Sequence, residues 1–278
     1  MEVKTEKIVV KEEHLIGKKS QETCEDGIVA TTDFVAVIDG STSKAQQQIS
    51  SEMRNGRYAM LLLQNVIKNL PTDVTVSQFC TIATDAIASI YKQHNISRDR
   101  LIQHPEERLT ASLGIFSRFR KEIWIIGDCQ CLCDGHYYDN PKPHEEPVAR
   151  RRSALISEMI SSGTYSEIQL LAHDYARDAV VADIVESCHH QNIDFSVIDG
   201  FPVALDKVIS IQANTSRDIV LATDGYPFLF PTLQASEEAL MEQLANDPLC
   251  YKTFFATKGK IVGNISFDDR AYIRFCTK

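Results

Sequence analysis

Several apolar runs in this chain stop at an aspartate beside a glycine. FVAVIDG (34–40) is apolar enough for a buried strand and ends abruptly in Asp39 and Gly40; IIGD (125–128), VIDG (197–200) and ATDG (222–225) repeat the pattern. A buried strand tip is rigid, so a carboxylate placed there can converge with others at little cost in side-chain entropy. Converging carboxylates repel, and each raises the other's pKa unless a cation neutralises them. Asp39, Asp128, Asp224 and Asp268 all lie at or beside such strand ends. Oxygen-only ligands suit magnesium or manganese rather than zinc, and a glycine after the aspartate lets its carbonyl approach the same ion. The competing explanation for each pair is that Asp-Gly is a turn dipeptide closing a strand.

Around these runs the periodicity predicts helices over 50–70, ended by Pro71, and from a cap at Thr72 onward, with Val76, Phe79, Ala83, Ile87 and Ile90 on one face. Strands are expected at 7–10, in an N-terminal hairpin, and at 28–30 and 34–38. An antiparallel meander is expected over 109–135, closed by a turn at Asp134-Gly135. Two helices follow at 148–162 and 165–190, then strands at 194–198, 207–212 and 218–223, a helix at 236–246 and a strand at 270–275. Paired helices and hairpin-like strands argue for antiparallel sheets covered by helices rather than a doubly wound parallel sheet.

The 278 residues allow a substantial core, and no linker or repeat divides them, so one domain over 1–278 is expected. A formal net charge of −9 without a basic patch disfavours nucleic acid. No apolar stretch approaches a membrane span. Eight cysteines without a secretory leader point to reduced thiols and a cytoplasmic location.

Order and flanks of the acidic motifs resemble the metal-dependent protein phosphatases of the type 2C family. The match runs through CED (24–26), VIDG (37–40), LTASLGIFSRFRKEIWIIGDCQCLCDG (109–135), IVLATDGYPFLF (219–230) and FDDRAYIRF (267–275), and so covers most of the chain. The resemblance implies an α+β fold, a four-layer sandwich of two antiparallel β-sheets flanked by helices. It implies two Mg2+ or Mn2+ ions sharing a bridging water that attacks phosphorus in line. Asp39 would bridge both ions, helped by the Gly40 carbonyl. Asp224 and Asp268 would hold one, Asp26 would act through bound water, and Asp128 would help hold a third. Asp39, Asp224 and Asp268 are then the catalytic residues, and a phosphorylated protein or a small phosphate ester is the substrate.

The chain departs from the family pattern in its middle, where a two-helix insertion at about 148–190 stands in place of a short strand and a flap, and at three further places. Gln21 stands where a phosphate-contacting Arg is common, Ser41 follows Gly40 where glycines and often a histidine are usual, and Asp269 replaces an Asn. Lys18, Lys19 and Lys44 are the candidate substitutes for phosphate binding. A binding or regulatory module without turnover, and a hydrolase of another phosphate ester or anhydride, are the alternatives.

Other residues attract weaker readings. CQCLC places Cys129, Cys131 and Cys133 on one strand face, with the outer two about 13 Å apart at ~3.3 Å per residue, too far to share one zinc. Core thiols are expected there. Asp199 is expected to be structural, Cys188, His189 and His190 to close a helix, and His136, His144, Glu145 and Glu146 to lie in a Pro-rich loop with some capacity for metal. Arg150, Arg151 and Arg152 at a helix start form a solvated run or contact an acidic partner.

Overall fold

The computed structural model describes residues 6–44, 48–213 and 218–278. Ten strands form two five-stranded antiparallel sheets. One contains β2 (Asp26–Ala30), β3 (Phe34–Gly40), β4 (Ala111–Ser117), β5 (Glu122–Ile126) and β8 (Ile209–Gln212), in that order. The other runs β1 (Ile8–Ile16), β10 (Arg270–Thr277), β9 (Ile219–Ala222), β6 (Gln130–Cys133) and β7 (His136–Tyr138).

The unbroken apolar run of β3 is explained by burial on both faces. Phe34, Ala36 and Ile38 pack outward under α1 (Asn55–Lys68) and α2 (Val76–Gln93). Val35 and Val37 point inward to a core shared with Leu221, Ile273 and Phe275 of the opposite sheet. Cys129, Cys131 and Cys133 lie in that same inter-sheet core as free thiols, as expected. On the far side Tyr226, Val220 and Tyr272 are covered by the start of α7 (Leu233–Asn246). The layers are helix, sheet, sheet, helix: the expected α+β sandwich.

Three local expectations are corrected. The predicted strand at 7–10 extends to Ile16 and pairs with β10 along its length, so it forms no hairpin with β2 and lies in the other sheet. The predicted meander is divided: β4 and β5 pair in one sheet, whereas β6 and β7 belong to the other. The chain crosses between sheets at Gly127-Asp128, where Gly127 takes φ +77° with Ser112 packed where a Cβ would stand. The residues at 194–198 form no strand and make only isolated bridges, among them Ala111 opposite Ile198.

Helix α2 is capped at Thr75 rather than Thr72, because a turn closing Val74 onto the Pro71 carbonyl occupies the intervening residues. The Gln78 amide donates to Thr75 Oγ1 at 3.3 Å and the Thr75 amide donates to Gln78 Oε1 at 2.9 Å, a capping box. Thr75→Ala is expected to cost about 1 kcal/mol, read as a lower urea midpoint at unchanged slope.

Where two helices were expected over 148–190 there are three: α4 (Glu145–Ser161), α5 (Glu167–Ala172) and α6 (Tyr175–Ser187), with α3 (Arg98–Gln103) elsewhere in the chain. The break before α6 falls at Asp174, whose side chain caps α6 and also pairs with the fully buried Arg152. Arg150 and Arg151 pair with Glu146 and Asp183, so the arginine run is satisfied within the chain. Asp199, in the second VIDG, is buried and held by the Phe201 amide at 2.9 Å, Asn192 at 3.0 Å and Arg108 at 2.8 Å. Those contacts fit a structural residue.

Candidate metal centre

Strand parity puts Asp39 on the inward side of β3, with Val35 and Val37, at the end where the two sheets open. Asp224 follows β9 of the opposite sheet, and Asp128 sits on the crossing between them. Carboxylate oxygens of Asp39, Asp128 and Asp224 lie within 4.8 Å of one another. Asp128 Oδ1 is buried and accepts no hydrogen bond. An orphaned anionic oxygen inside a cluster of three hard donors fits a hard divalent cation, magnesium or manganese.

The cluster's electrostatics point the same way. Burial, then the charges of Asp224, Asp26 and Asp128, hold the Asp39 carboxyl well above the usual carboxylate range. Burial is the largest influence on Asp128 and opposes its charge, but Lys142, 2.6 Å from its Oδ2, together with Ser112 and the backbone, brings that carboxyl down to about 2. Asp224 is raised, chiefly by burial, against the pull of Lys258.

Asp26 lies behind this cluster, opposite Asp39 in the β2–β3 register. Thr223 Oγ1 donates to its Oδ2 at 2.6 Å, yet burial pushes it up to about 8. The Gly40 amide donates to the Glu25 carbonyl at 3.0 Å. A Cβ at Gly40 would meet the Gly56 carbonyl oxygen of α1 at 2.1 Å, so glycine is needed here for a backbone contact.

Asp268 lies outside the cluster of three. Lys18 Nζ contacts it at 3.0 Å, and Lys258 pairs with its other oxygen. Asp269 accepts the Lys18 amide at 2.7 Å and the Glu25 amide at 3.2 Å, and pairs with Lys18 Nζ at 3.2 Å. Of the three lysines proposed for phosphate, Lys18 is therefore engaged with acids, Lys19 is exposed and off the cleft, and Lys44 lines it.

The cleft has a volume of about 130 Å³ and also presents Lys142, Arg177, Lys258 and Glu145. Sequence patterning missed the first three, because isolated basic residues in polar segments read as solvated. His144 lines the cleft too, held down to about 4 by burial and then by Lys142, and so is neutral at physiological pH. His190 instead pairs with Asp194 at 2.7 Å.

No protein-family model matches the chain, and no curated protein matches its sequence. Among solved structures it is similar to the serine/threonine phosphatase PstP/Ppp of Mycobacterium tuberculosis, at 12% identity and a TM-score of 0.47, over 97% of this chain and 98% of that one. A structure of the PstP catalytic domain in complex with two manganese ions matches at 11% identity and 0.47, over 97% and 99%. RsbX in complex with magnesium matches at 13% and 0.42, over 98% and 100%. With TM-scores below one half, these likenesses carry nothing about the chemistry of the cleft.

Proposed function

We propose that the cleft hydrolyses a phosphomonoester with Mg2+ or Mn2+. The observation that carries this reading is the convergence of Asp39, Asp128 and Asp224 around the unpartnered Asp128 oxygen, in a cavity that also presents cations. Asp39 is the residue proposed to be shared between two ions, with Asp224 on one of them, Asp128 on a further one, and Asp26 and the Gly40 carbonyl in support. Asp268 would join the set only by giving up its contacts with Lys18 and Lys258. When bound, the ions would supply Lewis-acid charge to the phosphoryl oxygens and acidify a water. The chain's own part is to keep Asp128 ionised through Lys142 and to hold the strand tips in place from both sheets. A phosphorylated protein and a small phosphate ester are the proposed substrates, and a cytoplasmic location is proposed with them. Among the described residues, no helix is long and apolar enough to cross a membrane.

A second reading, in which a phosphorylated ligand is bound without turnover, is favoured by one observation: two ammonium groups already neutralise Asp268. Hydrolysis of an aryl phosphate with added Mn2+, compared with chelator-treated protein, decides between them. Chelator-sensitive turnover supports the enzyme; none at saturating metal leaves the binding module.

Affinity for Mn2+ should depend on pH with a definite sign. The Asp39 carboxyl is raised, so at low pH it carries a proton that an ion must displace. Asp26, behind the cluster, is pushed up to about 8 by burial, so binding should tighten between pH 6 and 8, by up to about tenfold per unit for each proton displaced. Titration calorimetry in two buffers of different ionisation enthalpy reads the released protons directly. Equal affinity at both pH values, with no proton release, would rule out the protonated cluster.

A further inference from the structure

Two cations on the cleft wall have no carboxylate answering them. Lys44, in the segment after β3, donates to the Thr42 carbonyl at 2.9 Å, and Arg177 on α6 donates from Nη1 to the Thr257 carbonyl at 2.6 Å. Neither forms an ion pair among the described residues. The acids nearest to Arg177 are taken: Asp174 pairs with Arg152 and Asp178 with His173. Glu25, felt by Lys44, accepts from Thr42 through Oε2, and its Oε1 is buried without a hydrogen-bond partner. By contrast Lys18, Lys142 and Lys258 are each matched to an aspartate of the site.

Lys44 and Arg177 also crowd each other. Burial, then the charges of Arg177 and Lys258, push the Lys44 ammonium down to about 7. Half-buried like charges cost free energy unless an anion joins them; Asp174, Asp178 and Glu25 act on the pair from a distance, and none of them forms an ion pair with it. Lys258 feels both the Arg177 charge and the charges of Asp224 and Asp39, and Lys44, Arg177 and Lys258 line one cavity with Asp39, Asp128 and Asp224.

We propose that Lys44 and Arg177 form an oxyanion subsite that grips the phosphoryl oxygens pointing away from the carboxylate cluster. This rests on the phosphomonoesterase reading but can be tested apart from it. Arg177 suits the role because its planar fork offers several donors to a tetrahedral oxyanion, of which one is used by Thr257. Its place is set from behind: the Arg177 amide donates to Asp174 Oδ1 at 2.9 Å, and Asp174 is clamped by Arg152. The helices at 145–187 thus supply part of the grip on the substrate.

The test is binding of inorganic phosphate to metal-free protein, followed by calorimetry, for wild type, Arg177→Gln, Lys44→Gln and the exposed control Lys68→Gln. Saturable binding is expected in wild type and in the control, weakened about tenfold to a hundredfold by loss of either charge-assisted contact. Circular dichroism verifies folding; if Arg177→Gln unfolds, Lys44→Gln, in a loop, gives the answer alone. Wild type that binds no phosphate, or folded variants that bind it as wild type does, would overturn the subsite. Metal-dependent turnover with unaltered phosphate binding in the variants would sink the subsite and leave the phosphatase. Variant-sensitive phosphate binding without turnover would do the reverse.

Discussion

Asp39→Asn should reduce Mn2+-dependent hydrolysis of an aryl phosphate by on the order of 10³-fold, while leaving the metal-free protein as stable as before or more so. The two halves of this expectation have one cause. Asn keeps the shape of the side chain but removes a charge from the centre of three crowded carboxylates. Without an ion that charge is a liability, shown by the raised Asp39 carboxyl. With an ion it is a ligand. A thermal melt with and without Mn2+ separates the effects: wild type should be stabilised by metal, and the variant should be insensitive to it. An Asp39 that merely ended a strand would give a less stable variant that still responds to Mn2+.

The second large effect is expected far from the carboxylates. Arg152 is fully buried and is held by Asp174 at 2.6 and 3.0 Å and by the carbonyls of Leu249, Cys250 and Ala256 at 2.9, 3.3 and 3.0 Å. Arg152→Met fills much of the volume but strands the Asp174 charge and three carbonyls in the interior. Removing one partner of a buried pair costs about 3–5 kcal/mol, which for a domain of this size lowers Tm by roughly 10 °C. The companion variant Arg152→Met/Asp174→Leu also removes the stranded charge and should regain part of the loss. If the double variant is no more stable than the single one, the carbonyl contacts and not the ion pair fasten this region. Because Asp174 also positions Arg177, the single variant should weaken phosphate binding even at temperatures where it stays folded.

Much of this architecture is legible in the chain itself, and the limits have physical causes. Asp39 and Asp224 stand out because an unbroken apolar run followed by Asp-Gly marks a rigid strand tip, and side-chain parity then aims Asp39 between the sheets. Asp128 is legible in the same way, but its setting is not. Alternation tells which face a residue occupies and says nothing of which strand lies alongside, so Gly127-Asp128 reads as part of a meander when it is the passage from one sheet to the other. Thr72 and Thr75 are equally good caps by residue type, and only the reciprocal Gln78 bond picks the second. Lys142, Arg177 and Lys258 escape because a lysine or arginine in a polar stretch looks the same whether water or a carboxylate waits beyond it. Lys18 and Lys19 show the converse: adjacent and alike in sequence, one is pinned to Asp268 and Asp269 while the other faces solvent.

The β1–β10–β9 arrangement has a kinetic consequence. Ile8 is opposite Thr277 and Ile16 opposite Arg270, while the other edge of β10 is paired to β9. No hairpin can seed that half of the sheet, since its central strand has partners only at great separation along the chain. The loop-closure entropy must be spent before any of those ladder bonds form, so refolding should be slow for the chain's size. Until β10 arrives, β1 and β9 expose open edges that could pair with another molecule. Dilute refolding with β10 intact should succeed where concentrated refolding aggregates.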